Sequence, residues 1–291
     1  MTKIQGGEVI APFLIEFQVY IFIRSMMKNI DTKLFTPQEL DWLTSAQDMC
    51  RQAGKVLRSY FRRRDLGIRD KGNAYDIVTE ADKASEQIIL DHLHSRYPEH
   101  AILSEESGDD HRHARCQWII DPLDGTVNYS AGIATYCISI GLKVAGETRM
   151  GYVYAPTLDE EFFAIKGKGA YGPYGRLQAK DTSELQRAVI STGFPYDKAT
   201  NPDNNLDRFA RVMPRVRGIR RLGSAAMDLC YVAAGWLDGY WELNLKEWDA
   251  CAAELIAQEA GATVKRYRDD HGICILAACP GIALQLLDLV Q

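Results

Sequence analysis

The amino-acid sequence predicts a mixed α/β (α+β) fold made of two tightly packed halves. Residues 34–180 combine helical periodicity with a meander of strands, and this half carries most of the candidate metal ligands. Residues 181–291 interleave strands with helices, as in an α/β unit. At 291 residues, the chain is long enough for one large domain or two packed domains with a real core.

Composition and charge argue against several classes of protein. The formal net charge is -5, and a nucleic-acid polymer would require a basic face, so no such partner is expected. The seven cysteines are scattered and form no C-x-x-C pair. They therefore indicate reduced thiols in a cytoplasmic protein, not a disulfide framework or a zinc site.

Residues 1–33 precede the first predicted element as an N-terminal extension. Residues 9–23 are mostly apolar, but they are fewer than the roughly 20 residues that a membrane-spanning helix needs. Glu16 interrupts them, so a signal peptide is not predicted either. Two interpretations of residues 1–25 stay open: an amphipathic extension, or a start site assigned upstream of Met26 and Met27.

Two helix starts stand out in the first half. Thr36 followed by a proline and by Glu39 predicts the N-cap of a helix that runs to about residue 60. Thr79 and Asp82 have the spacing of a capping box in front of a second helix. Capping alone would explain this second pair.

Short apolar runs and alternating patterns predict the strands. A strand at 101–104 ends in Glu105 and Glu106, and a strand at 118–120 leads into Asp121. Three more strands are expected at 136–144, 151–156 and 160–166. The second half is predicted to contain strands at 188–192, 239–243 and 273–277, and helices at about 205–216, 224–234 and 250–260.

The most informative stretch is Trp118-Ile119-Ile120-Asp121-Pro122-Leu123-Asp124-Gly125-Thr126-Val127-Asn128. Two carboxylates three positions apart emerge at the end of an apolar strand, where a cation between them would relieve their repulsion. Gly125 allows a ligand to approach the backbone closely, and the N–H groups of a helix start behind it would suit a phosphate. The alternative is a capped turn with two solvated aspartates.

Carboxylates recur at other predicted element ends. Asp249 would open the helix at 250–260, either as its N-cap or as a ligand. With Glu105, Asp121 and Asp124 it forms a set of oxygen donors without Cys or His, which is typical of a hard cation such as Mg²⁺. The acidic and histidine-rich run at 109–113 has no apolar scaffold and is predicted to be a solvated loop.

Six spaced motifs between about residue 36 and the C-terminus resemble those of the inositol monophosphatase family. The two signatures are Asp121-Pro-Leu-Asp124-Gly-Thr126-x-Asn128 and Trp248-Asp249-x-x-Ala252-x-x-Leu255-x-x-x-Glu259-Ala-Gly261. The other four are Asp76-x-Val-Thr79-x-x-Asp82, Ser104-Glu105-Glu106-Ser107, Gly223-Ser224-Ala225-Ala226 and Asp238-Gly-Tyr-Trp-Glu242.

The resemblance implies a layered α/β/α/β/α sandwich like that of fructose-1,6-bisphosphatase and inositol monophosphatase, with a cluster of two or three Mg²⁺ ions. Glu105, Asp121 and the carbonyl of Leu123 would hold the first ion. Asp121, Asp124 and Asp249 would hold the second, and Glu105 with water would hold a weaker third.

The resemblance also assigns the chemistry. Thr126 would orient a metal-bound water and pass its proton to Asp82, with Glu105 as the third catalytic residue. The backbone at Gly125 and Thr126 would seat the phosphate, and Glu242 would bind hydroxyls of a polyol. The expected substrate-binding residues are Leu123, Asp124, Gly125, Thr126, Gly223, Ser224, Ala225, Glu242 and Asp249.

The implied activity is Mg²⁺-dependent hydrolysis of myo-inositol monophosphate or a related polyol phosphate. The family also implies a homodimer, and the expected partner is a small phosphorylated polyol, with no membrane and no nucleic-acid polymer. Lys246 and Glu247 stand where relatives often carry Arg-Pro, and Gly261-Ala262 replaces Gly-Gly, which leaves the identity of the alcohol open.

Two alternatives share the fold. One keeps the chemistry but acts on a nucleotide 3′-phosphate, histidinol phosphate or a sugar bisphosphate. The other is a non-catalytic binding or regulatory protein. The second alternative predicts the loss of a metal ligand, whereas every expected ligand is present in the sequence.

Overall fold

The computed structural model describes residues 31–268, 270 and 272–291, without the side chains at positions 72 and 73. The predicted mixed α/β class is confirmed, because helices and several sheets alternate along this part of the chain. Most of the predicted N-terminal extension, including the apolar run at 9–23, lies outside the described residues.

Seven α-helices occur in the described residues: α1 (Pro37–Tyr60), α2 (Glu80–Arg96), α3 (Thr126–Ser130), α4 (Leu206–Val212), α5 (Ala225–Ala233), α6 (Glu247–Glu259) and α7 (Pro280–Val290). Short 3₁₀ turns occupy Thr32–Leu34, Leu185–Arg187 and Met213–Arg215. The predicted N-cap Thr36 at α1 and the predicted capping box of Thr79 with Asp82 at α2 are confirmed, and Thr36 also forms a capping box with Glu39. Helix α7 was not predicted from the sequence.

The strands of the first half are β1 (Arg69–Asn73), β2 (Asp76–Val78), β3 (Ala101–Ser104), β4 (Gly108–Asp109), β5 (Cys116–Asp124), β6 (Cys137–Val144), β7 (Glu147–Ala155), β8 (Glu160–Ile165), β9 (Gly169–Gly172) and β10 (Gly175–Arg176). Those of the second half are β11 (Val189–Thr192), β12 (Gly218–Arg220), β13 (Gly239–Leu245), β14 (Thr263–Arg268) and β15 (Ile273–Ala278). Among these, β1, β2, β4, β9, β10, β12 and β14 were not predicted.

The strands form two main sheets beside the small β1–β2 hairpin. The larger sheet has the order β10-β9-β8-β7-β6-β5-β3-β4, and the smaller has the order β12-β11-β13-β15-β14. In the larger sheet β3 is parallel to β5, and Ser104 pairs with Ile120. The next residues, Glu105 and Asp121, therefore emerge at the same edge of the sheet.

Three hydrophobic clusters arrange the sheets and helices in five layers. The first cluster packs α1 and α2 on one face of the larger sheet. The second places α5 and α6 between the two sheets, and the third packs α4 and α7 on the outer face of the smaller sheet. The layered α/β/α/β/α arrangement is confirmed, whereas the division into domains at residues 180 and 181 stays a prediction.

All seven cysteines are free, as expected for reduced thiols. Within the described part of the chain, no helix combines the length and the apolar character that crossing a membrane would require. The run at 109–113 has no helix, and of its residues only Asp109 lies in a strand, the two-residue β4.

Helix α6 lies close against the larger sheet because two strand positions there have no side chain. A Cβ atom on Gly151 would lie 2.3 Å from the carbonyl oxygen of Ala252, and one on Gly141 would lie 2.6 Å from the sulfur of Cys251. This close approach matters for the site, because the first turn of α6 carries Asp249.

Replacing Gly151 by alanine tests this packing. The added methyl group would collide with the backbone of α6, so we expect the free energy of unfolding to fall by about 1–3 kcal/mol. Gly218→Ala is the control, because its Cβ would meet only Nη1 of Arg220, the end of a flexible side chain, at 3.0 Å. Urea unfolding of both variants measures the effect. Unchanged stability of Gly151→Ala would contradict the tight contact.

Candidate active site

A cavity of about 370 Å³ opens between the edges of the two sheets and the β1–β2 hairpin. Among the residues that line it are Glu105, Asp121, Leu123, Asp124, Gly125, Thr126, Gly223, Ser224, Ala225, Glu242 and Asp249. Asp82 is the one predicted site residue that does not line the cavity; it contacts Thr126, which does. A second cavity of about 400 Å³, beside Lys180 and Arg217, contains none of them.

A β-bulge at the end of β5 turns two carboxylates toward the cavity. Asp121 pairs with Ser139 and Asp124 pairs with Cys137, so three steps along β5 match two steps along β6. In a regular strand, residues three apart would point to opposite faces. The extra residue of the bulge brings both side chains to the same face.

The acids of the cavity raise one another's pKa. Burial raises the pKa of Asp121 well above its usual value, and the charges of Glu105, Asp124 and Asp249 raise it further. Burial, followed by the charge of Glu105, likewise raises the pKa of Asp249. Crowded carboxylates of this kind are stabilised in the anionic form by a bound cation.

Asp124 differs from the other acids of the cavity because the protein itself donates hydrogen bonds to its carboxylate. Ser224 Oγ donates to Asp124 Oδ2 at 2.6 Å, and the backbone N–H of Ala226 donates to the same oxygen at 2.8 Å. Burial raises the pKa of Asp124, and these hydrogen bonds oppose the increase. They also fix the start of α5 beside the acid cluster.

The donor set fits a hard cation by its chemistry. Glu105, Asp121, Asp124, Asp249 and the carbonyl of Leu123 offer only oxygen atoms to the cavity. In the described part of the chain, however, no three His, Cys, Asp or Glu side chains already surround one point as a preformed metal cage. The carboxylates make hydrogen bonds with the protein instead, and a cation would replace some of those partners.

Lys71 on β1 forms ion pairs with Glu105, one of these acids, and with its neighbour Glu106. Its Nζ lies 2.9 Å from Glu105 Oε1 and also contacts Glu106 Oε1. Their charges and hydrogen bonds raise the pKa of Lys71 against the opposing effect of burial. Glu106, which the sequence presented beside Glu105, is thus bound to Lys71 and does not line the cavity.

Of the two roles left open for Asp249, the N-cap is wrong, whereas the role as a ligand stays a prediction. Helix α6 begins at Glu247 with Lys246 as its N-cap residue, so Asp249 is the third helical residue. From there Asp249 Oδ2 accepts a hydrogen bond from the N–H of Lys246 at 2.6 Å. A carboxylate at the third position reaches back to the N-cap backbone in this way. The helix therefore starts three residues earlier than predicted.

Thr126 and Asp82 are in direct contact, although they are 44 positions apart. Thr126 Oγ1 lies 3.1 Å from Asp82 Oδ1 and 3.0 Å from the carbonyl oxygen of Leu123. A hydroxyl has one proton, so it serves one of these acceptors at a time. Burial raises the pKa of Asp82 to about 6.

The capping box of α2 holds Asp82 without using both carboxylate oxygens. Oδ2 accepts from the N–H of Thr79 at 2.8 Å and from its hydroxyl at 2.5 Å, whereas Oδ1 faces Thr126. From the sequence, capping alone could explain the position of Asp82, but the structure shows that capping and contact with Thr126 are compatible. The same carboxylate does both.

Glu242 lies at the opposite side of the cavity on β13. Its Oε2 accepts from the Tyr240 hydroxyl at 2.6 Å. A Cβ atom on Gly193 would lie 1.8 Å from Glu242 Oε1, so only glycine leaves room for this carboxylate. Burial raises the pKa of Glu242 to about 7, and the hydrogen bond from Tyr240 and the charge of Arg221 oppose the increase.

Sequence reasoning missed several residues that line the cavity, notably Lys71, Phe194, Tyr196 and Arg221. Tyr196 and Arg221 follow β11 and β12, two parallel strands whose carboxyl ends face the cavity. Residues just after parallel strands are common ligand contacts. The position of Tyr196 after a strand could have been recognised in the sequence, because β11 was predicted. The position of Arg221 could not, because β12 was not predicted.

Comparison with known proteins identifies the family. Residues 39–283 match the family model described as "Inositol monophosphatase family". The chain belongs to this family. Its members are phosphatases that generally depend on metal ions. The resemblance seen in the motifs is thereby confirmed, while the individual roles of the site residues stay predictions.

Relatives of this family cover most of the chain. An inositol-1-monophosphatase from Synechocystis is 40% identical over 244 residues, 83% of this chain and 84% of the relative. A protein named Nus factor SuhB from Pasteurella multocida is 38% identical over 246 residues, 83% of this chain and 92% of the relative. The solved inositol monophosphatase structure from Anabaena has a TM-score of 0.77 at 37% identity and covers 86% of this chain and 95% of its own.

The raised pKa of Glu242 predicts a pH-dependent stability. The folded pKa of about 7 exceeds the usual 4.5, so the folded state holds this proton more tightly than the unfolded chain. The wild type should therefore lose stability relative to Glu242→Gln as the pH rises from about 5 to about 8, by about 2–3 kcal/mol. Urea unfolding in EDTA at both pH values measures this. A difference that does not change with pH would contradict the buried, titrating carboxylate.

Proposed function

We propose that the protein is a Mg²⁺-dependent phosphomonoesterase that hydrolyses myo-inositol monophosphate or a related polyol phosphate to the alcohol and phosphate. The observation that carries the proposal is one cavity in which four acids crowd together beside a hydroxyl–carboxylate pair, Thr126 and Asp82. Membership of a phosphatase family supports the reaction type.

Two or three Mg²⁺ ions would complete this site. Glu105, Asp121 and the Leu123 carbonyl would hold the first, Asp121 would bridge to a second held by Asp124 and Asp249, and Glu105 with water would hold a third. When bound, such ions acidify a water molecule and neutralise charge on the phosphate and the leaving alkoxide. The raised pKa values of Asp121 and Asp249 support this assignment, because only a cation would favour their shared anionic state.

The residues of the chain then divide the remaining tasks. Thr126 would orient the attacking water and transfer a proton to Asp82, whose pKa of about 6 suits a base at neutral pH. A P–O bond would form to this water as the bond to the alcohol oxygen breaks, and a water near Asp249 would give the leaving oxygen its proton. Gly125, with φ of 89°, brings the start of α3 to the cavity, where its N–H groups would face the phosphate.

Glu242 would recognise the alcohol. Tyr240 already donates to one of its oxygens, and the other faces the space left by Gly193. Adjacent hydroxyls of a polyol would donate to this carboxylate, whereas an aryl group would leave it unpaired. Gly223, Ser224 and Ala225 line the same part of the cavity.

A non-catalytic role is the second candidate, because several relatives are named Nus factor SuhB and not phosphatase. The complete acid set in the cavity supports catalysis instead. A homodimer, a cytoplasmic location and the absence of nucleic-acid and membrane partners stay proposals. Phosphate release from a panel of inositol, nucleotide, histidinol and aryl phosphates, with and without Mg²⁺, tests the function. No release from any substrate would favour the non-catalytic role.

The metal assignment predicts that Asp121→Asn reduces the rate by several orders of magnitude, because the bridging charge is lost. Activity of the wild type should disappear in EDTA and return with Mg²⁺. Asp207→Asn, on the surface at α4, is the control for the charge change itself. Full activity of the wild type in EDTA, or of Asp121→Asn, would overturn the site assignment.

The contact between Thr126 and Asp82 predicts non-additive kinetics. Thr126→Ala and Asp82→Asn should each remove most of kcat, and the double variant should lose little more, as for residues that act as one unit. Thermal unfolding must accompany the kinetics, because a lost helix cap alone costs about 1 kcal/mol. Independent, multiplying losses would show that the two residues do not act together.

A further inference from the structure

Glu86 is a buried acid of helix α2 for which the proposed reaction has no task. It follows Asp82 by four positions, so the two side chains lie on the same face of the helix. Asp82 contacts Thr126 at the cavity, whereas Glu86 does not line the cavity. Glu86 instead contacts the turn between β3 and β4, which carries the proposed metal ligand Glu105.

One oxygen of the Glu86 carboxylate accepts three hydrogen bonds from that turn. Its Oε1 accepts from Ser104 Oγ at 2.5 Å, from the N–H of Ser107 at 3.0 Å and from the Ser107 hydroxyl at 3.0 Å. Ser104 is the last residue of β3, and Ser107 directly precedes β4. The carboxylate therefore ties the two ends of the turn together, with Glu105 and Glu106 between them.

Backbone pairing gives this turn little support of its own. Strand β4 has only the two residues Gly108 and Asp109, and it lies at the edge of the larger sheet. On the side of β5, the N–H of Glu105 donates to the carbonyl of Ile120 at 3.1 Å. A hairpin with so short a strand adds little stability by itself. The hydrogen bonds to Glu86 therefore hold the end of the turn that β4 leaves weakly supported.

The residue before Glu86 holds the other segment that carries proposed ligands. Ser85 Oγ donates to the carbonyl of Pro122 at 2.8 Å, directly before Leu123. One turn of α2 thus contacts both segments on which the first metal ion would depend. Groups that orient a metal ligand from behind commonly set the metal affinity, and their loss costs about 10–100-fold.

We propose that Glu86 is a positioning residue of the metal site, whose carboxylate holds the turn at 104–107 so that Glu105 is directed into the cavity. This inference rests on the proposed function, because it concerns the ions that Glu105 would hold. Glu86 would touch neither metal nor substrate and acts only through Glu105. Loss of its carboxylate should therefore weaken metal binding and leave the reacting groups in place.

Metal binding in the absence of substrate tests the proposal. Mn²⁺ is the probe, because it prefers the same oxygen ligands as Mg²⁺ and its free form is measured by electron paramagnetic resonance. Glu86→Ala should weaken Mn²⁺ binding roughly tenfold or more. At saturating Mg²⁺ the variant should recover most of the kcat of the wild type. An unchanged Mn²⁺ dissociation constant, or a loss of kcat that saturating Mg²⁺ does not restore, would overturn the proposal.

Two conservative variants separate position from charge. Glu86→Asp keeps the negative charge but is one methylene shorter, so it should not reach both serines and should weaken Mn²⁺ binding about as much as Glu86→Ala does. Glu86→Gln keeps the length and an acceptor oxygen but loses the charge, so it should weaken binding less. The opposite order would mean that Glu86 acts only through its charge, which would overturn the positioning role.

A matched control and a milder variant complete the experiment. Glu161 is also buried, accepts a hydrogen bond from Gln47, pairs with Arg51 and does not line the cavity. Glu161→Gln should therefore leave the Mn²⁺ dissociation constant unchanged, and an equal weakening there would show a non-specific loss of stability. Ser107→Ala removes one donor to Glu86 and should weaken binding roughly threefold. It decides the question if Glu86→Ala does not fold, and no change in Ser107→Ala would then overturn the proposal.

Failure of this inference differs from failure of the proposed function. If the wild type binds no Mn²⁺ and releases no phosphate from any substrate of the panel, both fall. If the wild type binds the ion and releases phosphate, but Glu86→Ala and Ser107→Ala bind Mn²⁺ as well as it does, only the role of Glu86 falls.

Discussion

Repulsion between carboxylates held together at the edge of the larger sheet is the constraint on which the rest of the site depends. Asp121 is buried, and each neighbouring acid makes its ionisation harder. The fold must therefore hold these groups close against their own electrostatics. Three features hold them together: the parallel pairing of β3 with β5, the bulge in β5, and the close packing of α6 against Gly141 and Gly151.

The same constraint gives chemically identical groups different tasks. Asp124 receives hydrogen bonds from Ser224 and Ala226, which favour its anion. Asp82 is held by Thr79 outside the crowded cluster, and burial raises its pKa to about 6 although the hydrogen bonds from Thr79 oppose the increase. Environments that separate the pKa values of neighbouring acids commonly separate ligands from bases. Asp82 thus suits proton transfer, whereas Asp124 suits a cation.

Local patterns predicted the elements that carry the acids, because capping boxes and apolar runs are encoded within a few residues. Thr79 with Asp82 and the run before Asp121 are examples. The short strand β12 was missed, since three residues with little apolar character give no periodic signal. The location of Arg221 depends on that strand and on long-range packing, so sequence reasoning alone could not place it. The helix that carries Asp249 was predicted to start three residues too late for a related reason: Lys246 and Glu247 have no feature that marks a helix start.

The cavity joins two regions with opposite electrostatic needs. The acid cluster requires cations, whereas at the other side Arg221 supplies positive charge next to Glu242. Glu242 accepts hydrogen bonds, so it would bind the hydroxyls of an alcohol and not its phosphate. An alcohol held in this way would present its phosphate at the other side of the cavity, to Thr126 and Asp82.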